Sequence, residues 1–243
     1  MCLARRVTGA PRTDHGVVVE LRVWHVDSIV QAVRRVAGDR RRLRTLPGLL
    51  FAKSLGTGSG RTFTMRDADP HRWALLTVWQ DGDAAADGAN AEVLQSWAAN
   101  SDEELRVTMR PLTSRGAWSR TDPFGAGRAA DRNTWSGPVA AITRARLRPT
   151  RMLSFWRAVP PVADALTDAS GLRLAVGIGE SPIGLQGTFS LWDSTDSLTS
   201  FAYRSPAHVS AVRRTKPARW YAEELFARLA VTDVVGTYQG RTP

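Results

Sequence analysis

Histidine is the side chain in this sequence with the clearest potential for metal chemistry, and it is scarce. The 243 residues include four histidines: His15, His25, His71 and His208. His208 lies in the run Ser205-Pro206-Ala207-His208, just inside a helix that the proline is expected to restart. An imidazole at this place could ligate a metal ion or a haem iron, although a surface or packed histidine also fits the pattern.

Arginine is the second residue type that could do chemistry. Arg144, Arg146 and Arg148 alternate along a predicted strand and share one face, so they could reach an anionic group such as a haem propionate or a substrate carboxylate. A solvent-facing row explains the alternation as well. The cluster Arg34–Arg44 is interpreted as a solvated helix end, with an anionic partner as the alternative.

The overall charge and the cysteine count exclude several classes of protein. The net charge is +10, but all except two of the 33 basic residues are arginine, which favours a GC-rich genome over a nucleic-acid partner. The single cysteine excludes an internal disulfide and a thiolate cluster. The sequence contains neither 18 consecutive apolar residues nor a signal-peptide core, so we predict a cytoplasmic protein without a membrane span.

Familiar catalytic motifs are missing from the sequence. There is no H-E-x-x-H, no G-x-S-x-G and no C-x-x-C-H. The glycine-rich run Gly56–Thr62 lacks the first glycine and the lysine of a phosphate-binding loop, so it is interpreted as a turn between two strands.

An internal repeat organises the chain. Gly48–Ala52 resembles Gly171–Ala175 at an offset of 123 residues, and Trp79 matches Trp192 at an offset of 113. Further matches at an offset of 120 join Glu103 to Glu223, and Gly116 and Trp118 to Gly236 and Tyr238. Because the order is kept and the offsets vary only by loop lengths, the series indicates a duplicated unit.

Each half of the repeat predicts a βαββαβ order, including single helices over 84–99 and, broken at Pro206, over 196–215. The predicted fold class is α+β: tandem ferredoxin-like repeats that form an intrachain dimeric α+β barrel, with a ligand site between sheet and helices. The predicted units are a flexible leader (1–16), a first half (17–118), a linker (119–137) and a second half (138–240). The position equivalent to His208 in the first half is Gln95, so the imidazole is present in one half only.

Several segments resemble the spheroidene monooxygenase family over roughly residues 17–238. They are Leu46–Phe51, Ala140–Arg144, Phe155–Val159, Gly177–Glu180, Thr188–Trp192, Ala207-His208 and Trp220–Arg228. The resemblance implies haem-dependent oxygenation of acyclic carotenoids and the dimeric α+β barrel shared with chlorite dismutases and aldoxime dehydratases. It also implies haem b as cofactor, with its iron held by His208 on a helix of the second half.

The resemblance further suggests which residues could surround that cofactor. Lys53, Gln186 and Ser190 lie on family-like strands and could face the distal side of the iron, while Arg144 could anchor a propionate. We therefore predict a haem-dependent monooxygenase that acts on an apolar or amphiphilic small molecule and that could form a homodimer. It needs an external electron donor, because the sequence shows no flavin or nicotinamide motif.

Two alternatives to this activity stay open. One is a haem-dependent dehydratase or rearrangement enzyme of the aldoxime dehydratase type. The other is a non-catalytic barrel that binds a small molecule, or an arginine-rich protein that binds anionic polymers. The family resemblance does not fix the substrate, because a function is carried by the site and not by the fold.

Overall fold

The computed structural model describes residues 16–61, 67–125, 134–180 and 185–243. The predicted leader (1–16), apart from its last residue, lies outside these ranges, as do residues 126–133 of the predicted linker and residues 62–66 beside the predicted glycine-rich turn.

The chain contains two successive sets of four strands with helices between them. The strands are β1 (Val18–His25), β2 (Leu49–Gly58), β3 (Ala68–Trp79), β4 (Glu103–Gly116), β5 (Val139–Leu147), β6 (Leu172–Gly179), β7 (Leu185–Trp192) and β8 (Tyr221–Gly236). The helices are α1 (Ile29–Leu43), α2 (Gly82–Ala89), α3 (Glu92–Ala98), α4 (Met152–Trp156), α5 (Pro160–Thr167), α6 (Thr195–Arg204) and α7 (Pro206–Ala218).

The eight strands form one closed antiparallel barrel in the order β1-β3-β2-β6-β7-β5-β8-β4. Each half contributes four neighbouring strands, which confirms the α+β fold and the intrachain dimeric α+β barrel. Closure leaves no strand edge open to solvent. Two seams join the halves: β4 and β8 pair over eleven positions, whereas β2 and β6 pair over three in the described part of the chain.

Alternation along the strands gives the barrel two different faces. The inner face holds the main apolar core, which includes Leu21, Leu76, Ile142, Phe189 and Leu229, all at most 1 % exposed. Residues at the intervening positions point outward, to the side of the sheet on which the helices pack. The contacts open to each side chain therefore depend on which face of the sheet it occupies.

The helices differ from the predictions in one detail. The predicted helix 84–99 is two helices, because α2 ends at its C-cap Asn90 and Ala91 has an extended conformation. The predicted break at Pro206 is confirmed, since α6 ends at Arg204 and α7 begins at the proline. None of the described helices combines the length and apolarity needed to cross a bilayer.

Candidate functional site

The outer sheet faces of the two halves carry side chains of very different size. Val18 pairs with Trp79 in the first half as Val139 pairs with Trp192 in the second, so the strand registers align the two halves residue by residue. This alignment matches the buried outward residues Glu20, Arg22 and Trp24 of β1 with Ala141, Thr143 and Ala145 of β5. Thr143 is exposed.

The same contrast continues on the neighbouring strand. Trp73 and Leu75 of β3 correspond to Gln186 and Thr188 of β7, while Trp79 corresponds to Trp192. The second half therefore has a surface of small side chains and one glutamine beside a single tryptophan. We call the outward residues Ala141, Thr143, Ala145, Gln186, Thr188 and Ser190 the small-residue face.

The helices above the two faces also pack differently. In the first half, each of α1, α2 and α3 buries three residues, and Trp97 of α3 stacks on Trp24 with 5.4 Å between ring centroids. In the second half α4, α5 and α6, whose residues are all described, bury no side chain fully. The helices α4, α5 and α6 thus pack less closely on their sheet than the helices of the first half do.

His208 lies on α7 with its ring held in one orientation. Its Nδ1 lies 2.8 Å from the backbone carbonyl oxygen of Ala202. Since a carbonyl can only accept, Nδ1 carries a proton, and in the neutral imidazole Nε2 is then the nitrogen with the lone pair. Ligating histidines are commonly oriented by a hydrogen bond of this kind.

The chain supplies this orientation through Pro206. If α6 continued, the backbone N–H of residue 206 would approach the carbonyl of Ala202, but proline has no N–H. The carbonyl is therefore available to the imidazole of His208, two residues further along.

His208, Gln186 and Ser190 lie on the same side of the sheet. The imidazole packs 5.1 Å from the ring of Phe201, which lies 5.5 Å from the ring of Trp192 on the outer face of β7. Trp192 Nε1 donates to Ser190 Oγ at 2.9 Å. The first half repeats this contact between Trp79 and a threonine, so the bond belongs to the barrel architecture, and the Ser190 hydroxyl keeps a proton to donate.

Lys53 and Arg144 lie on the inner face of the barrel, away from His208. Lys53 Nζ is 2.6 Å from Glu180 Oε2 and 2.7 Å from Ser119 Oγ. Arg144 donates to Glu180 at 2.7 Å and to Glu223, and its side chain is 5 % exposed. Their assignment to the cofactor stays a prediction, but the sheet stands between them and the small-residue face.

These four charged groups form a compact network at one end of the barrel. Burial raises the pKa of Glu180, but hydrogen bonds from Lys53 and Arg144 outweigh it and hold the pKa below its usual range. Burial likewise raises the pKa of Glu223, yet donors that include the Arg120 backbone N–H and Arg144 lower it overall. Both glutamates are thus held ionised, and the network joins strands of the two halves.

Sequence reasoning missed the two glutamates and the small-residue face. The signal for Glu223 was present, because its counterpart Glu103 occupies the equivalent place near the opposite end of the barrel. There it accepts from Arg72 at 2.9 Å and from the Gly240 backbone N–H at 2.6 Å. The small-residue face could be found only after the strand registers had aligned the two halves.

A bare metal ion has no ready site in the described residues. Within 16–61, 67–125, 134–180 and 185–243, no group of three or more His, Cys, Asp or Glu side chains could hold one. A haem brings four nitrogen ligands of its own, so a single axial imidazole is sufficient. The free Nε2 of His208, the small-residue face and the loosely packed helices fit such a group.

One buried donor near the same helices also lacks a partner. Trp156 Nε1 on α4 is buried and has no hydrogen-bond partner within the described residues. A buried indole N–H without an acceptor is costly unless a ligand supplies one. Neighbouring Phe155 packs against Trp220 and Tyr221, and burial raises the pKa of Tyr221 to about 12, which keeps its phenol protonated.

Comparison with known proteins identifies the family. No family model matches the chain. Spheroidene monooxygenase of Rhodobacter capsulatus is 31 % identical over 217 residues, which cover 89 % of both chains. The enzyme of the same name from Rubrivivax gelatinosus is 34 % identical over 223 residues, covering 90 % of this chain and 80 % of the relative. The chain belongs to the spheroidene monooxygenase family. Membership supports an oxidoreductase activity of the monooxygenase type.

Solved structures independently support the fold. An aldoxime dehydratase superposes with a TM-score of 0.61 at 11 % identity and covers 99 % of this chain and 93 % of its own. A second aldoxime dehydratase, in complex with butyraldoxime, gives a TM-score of 0.60 at 12 % identity, covering 99 % and 91 %. At these identities the similarity concerns the barrel architecture and not the reaction.

Proposed function

We propose that this member of the spheroidene monooxygenase family is a haem-dependent monooxygenase with its cofactor between the small-residue face and helices α6 and α7. His208 Nε2 would hold the haem iron. The observation that carries this assignment is the hydrogen bond from His208 Nδ1 to Ala202, because it directs the remaining lone pair to Nε2.

Different residues of the second half would hold the cofactor, orient its ligand and donate hydrogen bonds beside it. His208 would hold the iron, and the Ala202 carbonyl would keep its imidazole in the required tautomer. Gln186, 9 % exposed, and Ser190, 6 % exposed, are polar groups of the small-residue face that could donate hydrogen bonds to a ligand there. Haem iron, when bound, supplies the activation of dioxygen.

The chemical character of the small-residue face indicates the class of substrate. Ala141, Thr143 and Ala145 offer little charge, so an apolar or amphiphilic molecule suits the site better than a polyanion. A monooxygenase places one oxygen atom of dioxygen in its substrate and reduces the other to water, which consumes two electrons. We assign these electrons to an external donor.

Haem reconstitution of the purified protein tests the axial ligand. We expect a sharp Soret band with a histidine-type ferrous spectrum, which is lost or shifted in His208→Ala. The matched control is His71→Ala, since His71 Nδ1 also contacts a backbone carbonyl, that of Val26 at 2.9 Å, but in the first half. Equal spectra for His208→Ala and the parent protein would refute the ligand assignment.

A second variant tests where the haem binds without changing His208. Thr143→Trp places a large side chain on the exposed centre of the small-residue face, so we expect normal folding and at least tenfold weaker haem binding. Val235→Trp is the control, because Val235 is 48 % exposed on a strand away from that face. Unchanged haem affinity in Thr143→Trp would place the cofactor elsewhere.

Dependence on dioxygen separates the proposed activity from its runner-up. A dehydratase or rearrangement enzyme would turn over anaerobically, whereas a monooxygenase would stop when dioxygen is removed. The aldoxime dehydratases share only the barrel architecture with this chain, so the dependence on dioxygen, and not the fold, decides between the two activities.

A further inference from the structure

Helix α1 exposes apolar side chains that nothing in the described chain covers. Its inward side buries Ala32, Asp39 and Leu43. On the opposite side Val30 is 62 % exposed and Val33 is 51 % exposed. The solvent face of a helix is normally polar or charged, so two exposed valines three residues apart are unusual there.

Arginines flank this apolar strip along its whole length. Arg34 and Arg41 lie four and eleven positions after Val30, on the same side of the helix, and Arg40 and Arg44 extend the charge at its end. Within the described residues no carboxylate forms an ion pair with these four arginines. We call Val30, Val33, Arg34, Arg40, Arg41 and Arg44 the basic face of α1.

Neighbouring groups do not offset the positive charge of this face. The only acidic residue of α1, Asp39, is buried and accepts from Trp97 Nε1 at 2.7 Å. Arg35 and Arg42 are turned toward the protein: Arg35 lies 5.8 Å over the Trp97 ring, and Arg42 pairs with Glu92 at 3.5 Å. Within the part of the chain that the structure describes, the basic face therefore combines arginines that form no ion pair with exposed apolar groups.

We infer that the basic face of α1 docks on an anionic lipid surface. A nucleic acid would satisfy the arginines but would leave Val30 and Val33 against a polar backbone. The bilayer interface accepts both, because apolar side chains enter the acyl boundary while arginines meet lipid phosphates. The charge complementarity selects a bilayer with anionic headgroups, and this inference does not depend on the proposed haem chemistry.

Co-sedimentation of the full-length protein with vesicles tests this inference. We expect binding to vesicles of phosphatidylcholine with 30 % phosphatidylglycerol, and at least tenfold weaker binding to phosphatidylcholine alone. Each arginine near an anionic surface contributes about fivefold to affinity, so Arg34→Gln/Arg41→Gln should weaken binding by about 30-fold. Val30→Ser/Val33→Ser should weaken it by about tenfold or more, because the apolar contact is lost.

The control removes the same charge from another helix. Arg213→Gln/Arg214→Gln changes two exposed arginines of α7 and should leave vesicle binding within about twofold of the parent protein. An equal loss in this control would show that net charge alone drives the association and would overturn the inference.

Two further outcomes would also overturn it. If the valine variant binds vesicles like the parent and the arginine variant loses affinity for duplex DNA, the face recognises polyanions. If sedimentation velocity shows a dimer that Val30→Ser/Val33→Ser dissociates, and the parent does not bind vesicles, the face joins two copies of this chain. Circular dichroism confirms that each variant is folded before its binding is compared.

Discussion

Replacement of Arg144 by methionine should destabilise the barrel strongly. The variant keeps most of the side-chain volume but leaves Glu180 and Glu223 without their shared guanidinium, in a place where the Arg144 side chain is 5 % exposed. Removing one partner of a buried ion pair costs about 3–5 kcal/mol. For a chain of this length, this corresponds to a fall in Tm of about 6–20 °C.

The loss should depend on pH in a direction fixed by the two glutamates. Their pKa values in the folded protein lie below the ordinary 4.5, so they contribute stability above the unfolded-state pKa and lose it as the pH falls through the folded value. Arg144→Met removes a large part of this contribution. The difference in Tm between Arg144→Met and the parent should therefore be greatest near pH 7 and shrink below pH 4.5.

Thermal unfolding followed by circular dichroism from pH 3 to pH 8 measures both effects. Arg106→Met is the matched control: its partner Asp233 lies at 3.2 Å, but the two side chains are 33 % and 51 % exposed. A surface pair of this kind contributes about 0–1 kcal/mol. Equal losses of stability in the two variants, or a loss in Arg144→Met that is the same at every pH, would refute a stabilising role of the buried ion pairs.

Two further predictions concern the helices. Pro206→Ala supplies an N–H that competes for the carbonyl contacted by His208, so nitrogen NMR of the cofactor-free protein should show a shift toward the Nε2–H tautomer; an unchanged tautomer would contradict this role of the proline. Gly88→Ala places its Cβ against the fully buried ring of Trp79 and should cost about 1–3 kcal/mol. Gly38→Ala, with open space around the added atom, should stabilise α1 by about 0.5–1 kcal/mol, and equal Tm values for the two alanine variants would refute the packing argument.

Much of the barrel could be predicted because several of the residues that reveal the repeat are large and buried. Trp79 and Trp192 both end a strand, both are fully buried, and both donate to a hydroxyl two residues earlier. Replacing a large buried side chain leaves a cavity and costs stability, so such residues tend to be kept. They therefore still align the two halves. Helix boundaries were less accessible: the chain breaks at Ala91, which carries neither a proline nor a glycine to mark it.

The candidate site could be predicted only in part. His208 was visible because histidine is rare here and a proline precedes it. The face of each strand was not visible, because a shift of one residue reverses every side chain. Lys53 shows the difficulty: β2 has a register shift between Leu49 and Phe51, so its inward position required the observed pairing. The residues of the small-residue face form no motif. The face can be recognised only by comparing them with the larger side chains at the equivalent positions of the first half.

The seams between the halves also bear on how such a protein can evolve. Each seam pairs a strand with its own counterpart, β4 with β8 and β2 with β6, as two identical subunits would pair across a twofold axis. In a homodimer every substitution appears twice, so a change that opens space on one sheet face opens it on both and weakens both. A fused chain escapes this rule. One half can keep the packed pair Trp24 and Trp97, which stabilises the fold. The other half can then lose packing around Thr143 and acquire a new reaction.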